Sequence, residues 1–279
     1  MLASHQRNGI SSGVAVLCDK PCFVLNGFNW QVNLAEIHDS IVFIDEGDEF
    51  VRSNDFASAI QKTDNYYVMA TRTVLPNIPY IANKVYGIKK RIRESVPGDK
   101  ADFQWKRFFS EYYLLLAKGL NTPLLPDLVI IEDSNAGFEF FHEVFTNISI
   151  HCISANGKSN IQHEVESRDP ENILVIADGA AFGSEIDKVL PFRQVKNLEL
   201  FLPESFEWLI LKSGLIRTEN VEAVLNDPSV YIESSEFFSW ENFFEAYLVD
   251  NTVNTPFQYS KSKINPIYLN DKNAEKIIA

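Results

Sequence analysis

In the second half of this 279-residue chain, four short apolar runs each stop at a polar group. The run 128–131 ends in Glu132-Asp133-Ser134-Asn135, and the run 148–154 leads to Asn156-Gly157-Lys158-Ser159-Asn160. The run 173–177 ends in Asp178-Gly179, and 198–202 ends in Pro203-Glu204, with Glu207 one turn further on. Carboxylates follow three of the four runs. Gathered oxygen anions suit Mg²⁺ or Mn²⁺, hard ions that accept carboxylate and water. Ions so held can clamp the attacking and leaving oxygens of a phosphodiester. An ammonium such as Lys158 would stabilise charge developing on phosphate. The plain alternative is that Glu132 and Asp178 cap the helices that follow them, because carboxylates at helix N-termini are stabilising without any function. Asp-Gly is also a common turn.

Other chemistries have weaker support. There is no G-x-S-x-G for a hydrolase nucleophile. His38, His142, His151 and His163 share no ligand spacing. The three cysteines, Cys18, Cys22 and Cys152, are too few and too odd in number for a disulfide framework, which fits a reducing cytosol. Cys18 and Cys22 have no second Cys/His pair to complete a zinc site.

If the carboxylates are to meet, the runs must be neighbouring strands. Two of them, 128–131 and 173–177, are continuously apolar, the other two carry only isolated polar residues, and between the runs lie helical patterns at 136–145, 161–166, 183–190 and 205–212. That alternation predicts a parallel sheet covered by helices on both faces. Functional groups in such sheets collect beyond the carboxyl ends of the strands. The first part of the chain predicts strands at 13–18, 22–25, 41–45 and 66–71, with a helix over 54–62 completing a βαβ unit. Residues 76–103, with three prolines, two glycines and a basic run, read as a linker with room for one short helix. A helix is expected over 102–120, with Trp105, Phe108, Phe109, Tyr112, Leu115 and Leu116 at helical spacing. Beyond 217 the chain reads as a helical extension. Its stripe of Trp240, Phe243, Phe244, Tyr247 and Leu248 should pack on the second sheet, and the polar tail after Asp250 reads as extended or frayed.

Glu132 after the first strand, Gly157-Lys158-Ser159-Asn160 after the second, Asp178 after the third and Glu204-x-x-Glu207 after the fourth resemble a Toprim domain of the OLD-family nuclease type. The resemblance covers about 85 residues. It implies a parallel, Rossmann-like sheet with a glutamate and an Asp-x-Asp pair binding Mg²⁺ or Mn²⁺. It gives Glu132, Asp178, Glu204 and Glu207 catalytic and metal-binding roles, with Lys158 beside them. The chain departs from the pattern at two points. Alanine stands at position 180, where the second aspartate is expected, and Asp133 stands where glycine is usual. Asp133 is therefore a candidate to restore the lost carboxylate.

Ile41-Val42-Phe43-Ile44-Asp45-Glu46 also resembles the Walker B segment of P-loop ATPases, and Arg72 resembles a polar sensor after the next strand. Yet G-x-x-x-x-G-K-[ST] occurs nowhere in the chain, so no ATP binding is expected. Asp45, Glu46, Asp48 and Glu49 then form an acidic strand exit. OLD-like proteins couple an ATPase module to a Toprim module, and the whole chain resembles a bacterial family with an ATPase-like front and an acidic α/β back. The implied division is a degenerate P-loop-like α/β region and basic linker at 1–100, a Toprim-like domain with its leading helix at 101–217, and a helical extension at 218–279.

The net charge of −13 excludes attraction of nucleic acid by the overall field. The stretch from Lys84 to Arg107 is the exception, with eight basic and three acidic residues. It reads as a solvated face or as a local nucleic-acid contact. In the second case Lys89, Lys90, Arg91 and Arg93 should share a side of the molecule with Glu132 and Asp178. No apolar run reaches the roughly 18 residues of a membrane span, and residues 1–13 have no apolar signal core, so a cytoplasmic protein is expected. A homo-oligomer or a partner protein remains open. Two functions fit. One is a Mg²⁺- or Mn²⁺-dependent nuclease or phosphodiester-processing protein, in bacterial or phage defence or DNA repair. The other is a catalytically inactive scaffold, sensor or interaction protein on the same folds.

Overall fold

The computed structural model describes residues 20–44, 49–71, 74–82, 85–92, 108–114, 125–169, 172–232 and 236–279. The alternation of strands and helices read from the sequence produces an α/β protein whose larger parallel sheets are flanked by helices. In the second half, β6 (Leu128–Ile131), β7 (His151–Ser154), β8 (Asn172–Ile176) and β9 (Asn197–Phe201) form one sheet in the order β7-β6-β8-β9, all parallel. All four residues of β6 are buried, as expected of a central strand. They alternate between two cores. Val129 and Ile131 face one layer, while Leu128 and Ile130 face the other.

That strand order follows from the connections. From β6, helix α3 (Ala136–Asn147) leads to β7 on one side; from β7, helix α4 (Ile161–Glu166) carries the chain back across β6 to β8. Right-handed crossovers running in opposite directions must lie on opposite faces. Accordingly Phe140 and Phe141 of α3 belong to the first core, and Ile161 and Val165 of α4 to the second. Helix α5 (Ile186–Val189), between β8 and β9, joins α4 on the second face, and α6 (Phe206–Lys212) joins α3 on the first. The loops leaving the neighbouring strands β6 and β8 therefore part to opposite faces, which opens a crevice at their carboxyl ends.

The first half holds a smaller parallel sheet, β1 (Cys22–Leu25), β2 (Ile41–Ile44) and β3 (Tyr66–Met69), in the order β1-β2-β3. Helices α1 (Trp30–Ala35) and α2 (Asn54–Ile60) cover one face around Phe56, Trp30 and Phe50, whose rings stack or meet edge-on. Ser53 caps α2 through the Phe56 N–H at 3.1 Å. Helix α1 was not anticipated. The strand expected over 13–18, with Cys18, Asp45, Glu46, Asp48 and Arg72, lies outside the described residues. The segment after β3 reaches the larger sheet, where Ala82 N–H donates to Gly179 O at 2.9 Å and Gly183 N–H to Tyr80 O at 3.0 Å.

Three expectations are corrected. The helix expected over 102–120 is a strand where it is described: β5 (Phe108–Leu114) pairs antiparallel with β4 (Tyr86–Ile92), Lys89 opposite Glu111 and Arg91 opposite Phe109. β4 likewise replaces the linker expected within 76–103. Aromatic residues that fit a helical face also favour strands, and here a partner strand was at hand. The tail after Asp250 is neither extended nor frayed. After α7 (Val221–Asn226) and α8 (Trp240–Thr252) it buries Tyr259, Ile264 and Tyr268 and ends in α9 (Asp271–Ile278). The aromatic stripe of α8 packs as expected, with Phe243, Phe244 and Leu248 in the first core. No described helix is long and apolar enough to cross a membrane.

Candidate carboxylate site

The crevice between β6 and β8 is where the sequence placed its carboxylates. Glu132 follows β6 and Asp178 follows β8, and the two are joined: Asp178 N–H donates to Glu132 Oε2 at 2.9 Å. Asp133 turns back to the start of α3 and accepts Phe138 N–H at 2.8 Å. Asp178 reaches across to α6 and accepts Phe206 N–H at 3.2 Å on Oδ1. Both bonds satisfy donors that a first helical turn leaves without intrahelical partners. The capping alternative is corrected for both residues it named: Glu132 binds the Asp178 backbone, and Asp178 caps α6, which follows β9, while it is Asp133 that caps α3. Glu132, Asp133 and Asp178 line one cavity of about 20 Å³ together with Gly137, Phe141, Pro203 and Phe206, large enough for about one water.

Charges crowd this crevice. Burial pushes Glu132 up to about 7 against the Asp178 N–H, with Glu241 and Asp133 adding to the rise and Lys158 opposing it. Burial, then the charges of Glu241, Glu132, Glu207 and Asp133, hold Asp178 well above the usual carboxylate range. Asp133 is also raised by burial, against the Phe138 and Asn135 amides and Lys261.

The two late glutamates part company. Glu207 is 2% exposed, and its Oε1 accepts the Tyr259 hydroxyl at 2.7 Å. Burial raises it, the Tyr259 hydroxyl and Lys261 opposing. Glu204 is half-buried, its backbone carbonyl accepts Ala180 N–H at 3.2 Å, and neither it nor Glu207 lines the cavity. Lys158, after β7, donates to Ala181 O in the loop after β8 at 2.8 Å, and its charge opposes the rise at Glu132.

The backbone behind Asp178 explains two sequence features. Gly179 N–H donates to Pro203 O at 2.6 Å, and a side chain at 179 would meet Leu202 O at 2.6 Å and Pro203 O at 2.8 Å, so only glycine fits. Ala180, at the position of the expected second aspartate, is 3% exposed and packed where a carboxylate would have no water.

Sequence reading missed what the C-terminal extension contributes. Lys261 lies beside the start of α3, where its carbonyl accepts Ala136 N–H at 3.0 Å. Its ammonium is held by Glu241 at 2.6 Å and Glu245 at 3.1 Å. Burial acts against the ammonium, but Glu241, Glu207 and Glu245 outweigh it and keep Lys261 charged. One signal was present: Glu241 and Glu245 stand at i,i+4 on α8, a like-charge pair that destabilises a helix unless a cation lies between.

No family model, curated protein or solved structure matches this chain. Among the described residues, no three His, Cys, Asp or Glu side chains are placed to ligate one metal ion. The three carboxyls around the cavity are hard-oxygen donors, the type that Mg²⁺ and Mn²⁺ prefer. As they stand, the carboxyls are not gathered for ligation.

Proposed function

We propose that this chain is a phosphodiester-processing protein of Toprim type, a nuclease in the simplest case, whose carboxylate site takes Mg²⁺ or Mn²⁺. The observation that carries this reading is the Asp178–Glu132 contact. It joins the ends of two strands 46 residues apart at the crevice where open α/β sheets bind ligands. Glu132 and Asp178 would hold the ion, with Asp133 beside them. An ion bound there would supply Lewis-acid stabilisation of a phosphoryl oxygen. Lys158 steadies the anionic substrate group, and Glu207, fixed by Tyr259, positions the start of α6. Glu204 is kept as a candidate for orienting water.

The test pairs binding with turnover. Titrate the full chain with Mn²⁺ in a calorimeter, then incubate it with single- and double-stranded DNA and RNA in Mn²⁺. Binding and cleavage that Glu132→Ala removes are expected. Failure of both leaves the second reading, a catalytically inactive scaffold, sensor or interaction protein. Two observations favour that alternative: Ala180 replaces the second aspartate, and Lys261 already supplies the site with a positive charge.

A further inference from the structure

We propose that the first half of the chain positions Asp178: residues 80–82 fasten the loop after β8, so the packing of the smaller sheet sets how firmly that carboxyl is held at the crevice. Nothing in this requires an ion in the crevice. After β3, Leu75 and Ile78 are buried in the core of the smaller sheet, whereas Ala82 is fully buried in the second core of the larger sheet, where Val85 also packs. One short segment is therefore rooted in both cores, and Tyr80 stands at the crossing. Tyr80 packs on the core of the smaller sheet, and its ring lies so close to Gly183 that a side chain at 183 would come within 2.2 Å of it.

The loop that Tyr80 meets is the one that carries Asp178, and it is tied on three sides. From after β9, Pro203 O accepts Gly179 N–H at 2.6 Å and Glu204 O accepts Ala180 N–H at 3.2 Å. From after β7, the Lys158 ammonium donates to Ala181 O at 2.8 Å. The third side is the first half of the chain: Ala82 N–H donates to Gly179 O at 2.9 Å, and Gly183 N–H donates to Tyr80 O at 3.0 Å. Gly179 is thus pinned through both its N–H and its carbonyl, one residue from the carboxyl that accepts Phe206 N–H. The bonds from Pro203, Glu204 and Lys158 come from the sheet to which Asp178 itself belongs. Those from residues 80–82 bring in the smaller sheet, whose opening frees one side of the loop. Loosening either end of a shared segment loosens the other by the same free energy.

The test is native-state hydrogen exchange of the full chain, resolved by NMR and run in chelator, which keeps its outcome separate from that of the metal reading. Three amides report along the segment: Ala70, bonded to Ile44 O in the smaller sheet; Gly183; and Phe206, whose partner is Asp178 itself. Phe138, bonded to Asp133 after β6 in the same crevice, is the control. Phe56 is fully buried in the smaller core, in ring contact with Trp30, Phe50 and Tyr67. Phe56→Leu should speed exchange of Ala70, Gly183 and Phe206 together, by about tenfold or more, as expected of a cavity opened in a packed core, and leave Phe138 near its wild-type rate. Tyr80→Ala should speed Gly183 and Phe206 and cancel the added effect of Phe56→Leu on them, whereas Tyr80→Phe, which keeps the ring, should restore wild-type rates. Should Phe56→Leu fail to fold, the wild type in low urea decides: the three amides should exchange through one opening with a common urea dependence, distinct from that of Phe138. Phe206 exchange that ignores Phe56→Leu, or that follows Phe138 in urea, overturns the proposal, as does a Phe138 amide that speeds as much as Phe206.

Discussion

The Tyr259 hydroxyl donates to Glu207 Oε1 at 2.7 Å, alongside Ser205 and the Glu207 backbone, and Glu207 is only 2% exposed. Leaving a buried acceptor unsatisfied costs about 1–3 kcal/mol, more if it is charged. Tyr259→Phe should therefore lower the unfolding free energy by about that amount in urea titration, and an unchanged midpoint would mean that the bond contributes nothing. Glu132 makes a pH prediction. Its pKa rises on folding from 4.5 to about 7, so the folded state binds the extra proton across that window. Stability from this group is then greatest below pH 4.5 and is lost as pH rises towards 7. In chelator, Glu132→Gln can still accept the Asp178 N–H. It should be more stable than wild type at pH 8, by up to about 3 kcal/mol, and similar at pH 4. Urea melts at the two pH values decide it, and a variant less stable at pH 8 refutes the sign. At this scale Glu132, Asp133 and Asp178 were legible because strand ends are readable from apolar runs. Tyr259 and Lys261 were not, because their partners lie 52 and 20 residues away, on elements with no sequence link to them.

At the scale of elements, β7 begins three residues later than its run, at His151, but β6, β8 and β9 were legible to within one residue, because short, mostly apolar runs between helical patterns admit few other structures. β5 was not. Phe108, Phe109 and Tyr112 fit a helical face as well as a strand, and only pairing with β4, across 15 intervening residues, separates the two. The tail was misread for a related reason: it holds its place by single anchors without periodicity. Tyr268 is the main one, fully buried, its ring centroid 5.9 Å from Phe257 and 6.3 Å from Tyr259 and its hydroxyl on Phe257 O at 2.5 Å. Tyr268→Ala should cost about 3–5 kcal/mol, the range for removing a buried aromatic ring. It should also speed hydrogen exchange across residues 259–264, because Tyr259 loses the ring it rests on. A loss of stability with exchange there unchanged would show that residues 259–264 do not depend on Tyr268.

For the whole molecule the governing fact is charge. A chain of net charge −13 that acts on a polyanion needs a local basic surface, and the stretch from Lys84 to Arg107 is the one the sequence offers. Lys89, Lys90 and Arg91 fall within β4, paired along its length with β5, while Arg93 lies outside the described residues, as does the bearing of these side chains on the crevice. A two-stranded ribbon carrying three consecutive basic residues suits phosphate contacts, which position nucleic acid without reading its sequence. Binding of this kind comes from counterion release, so its logarithm falls with the logarithm of salt by about 0.9 for each phosphate neutralised. Reversing Lys89, Lys90, Arg91 and Arg93 to glutamate should abolish binding of a labelled duplex in fluorescence anisotropy at 50 mM salt. Far-ultraviolet circular dichroism should be retained, which assigns the loss to charge and not to unfolding. Wild-type affinity should drop steeply between 50 and 200 mM salt and be the same for unrelated sequences. If the reversed chain binds as well as the wild type, the basic stretch has no part in nucleic-acid contact, and a nuclease reading of the crevice would need another source of attraction against its own field.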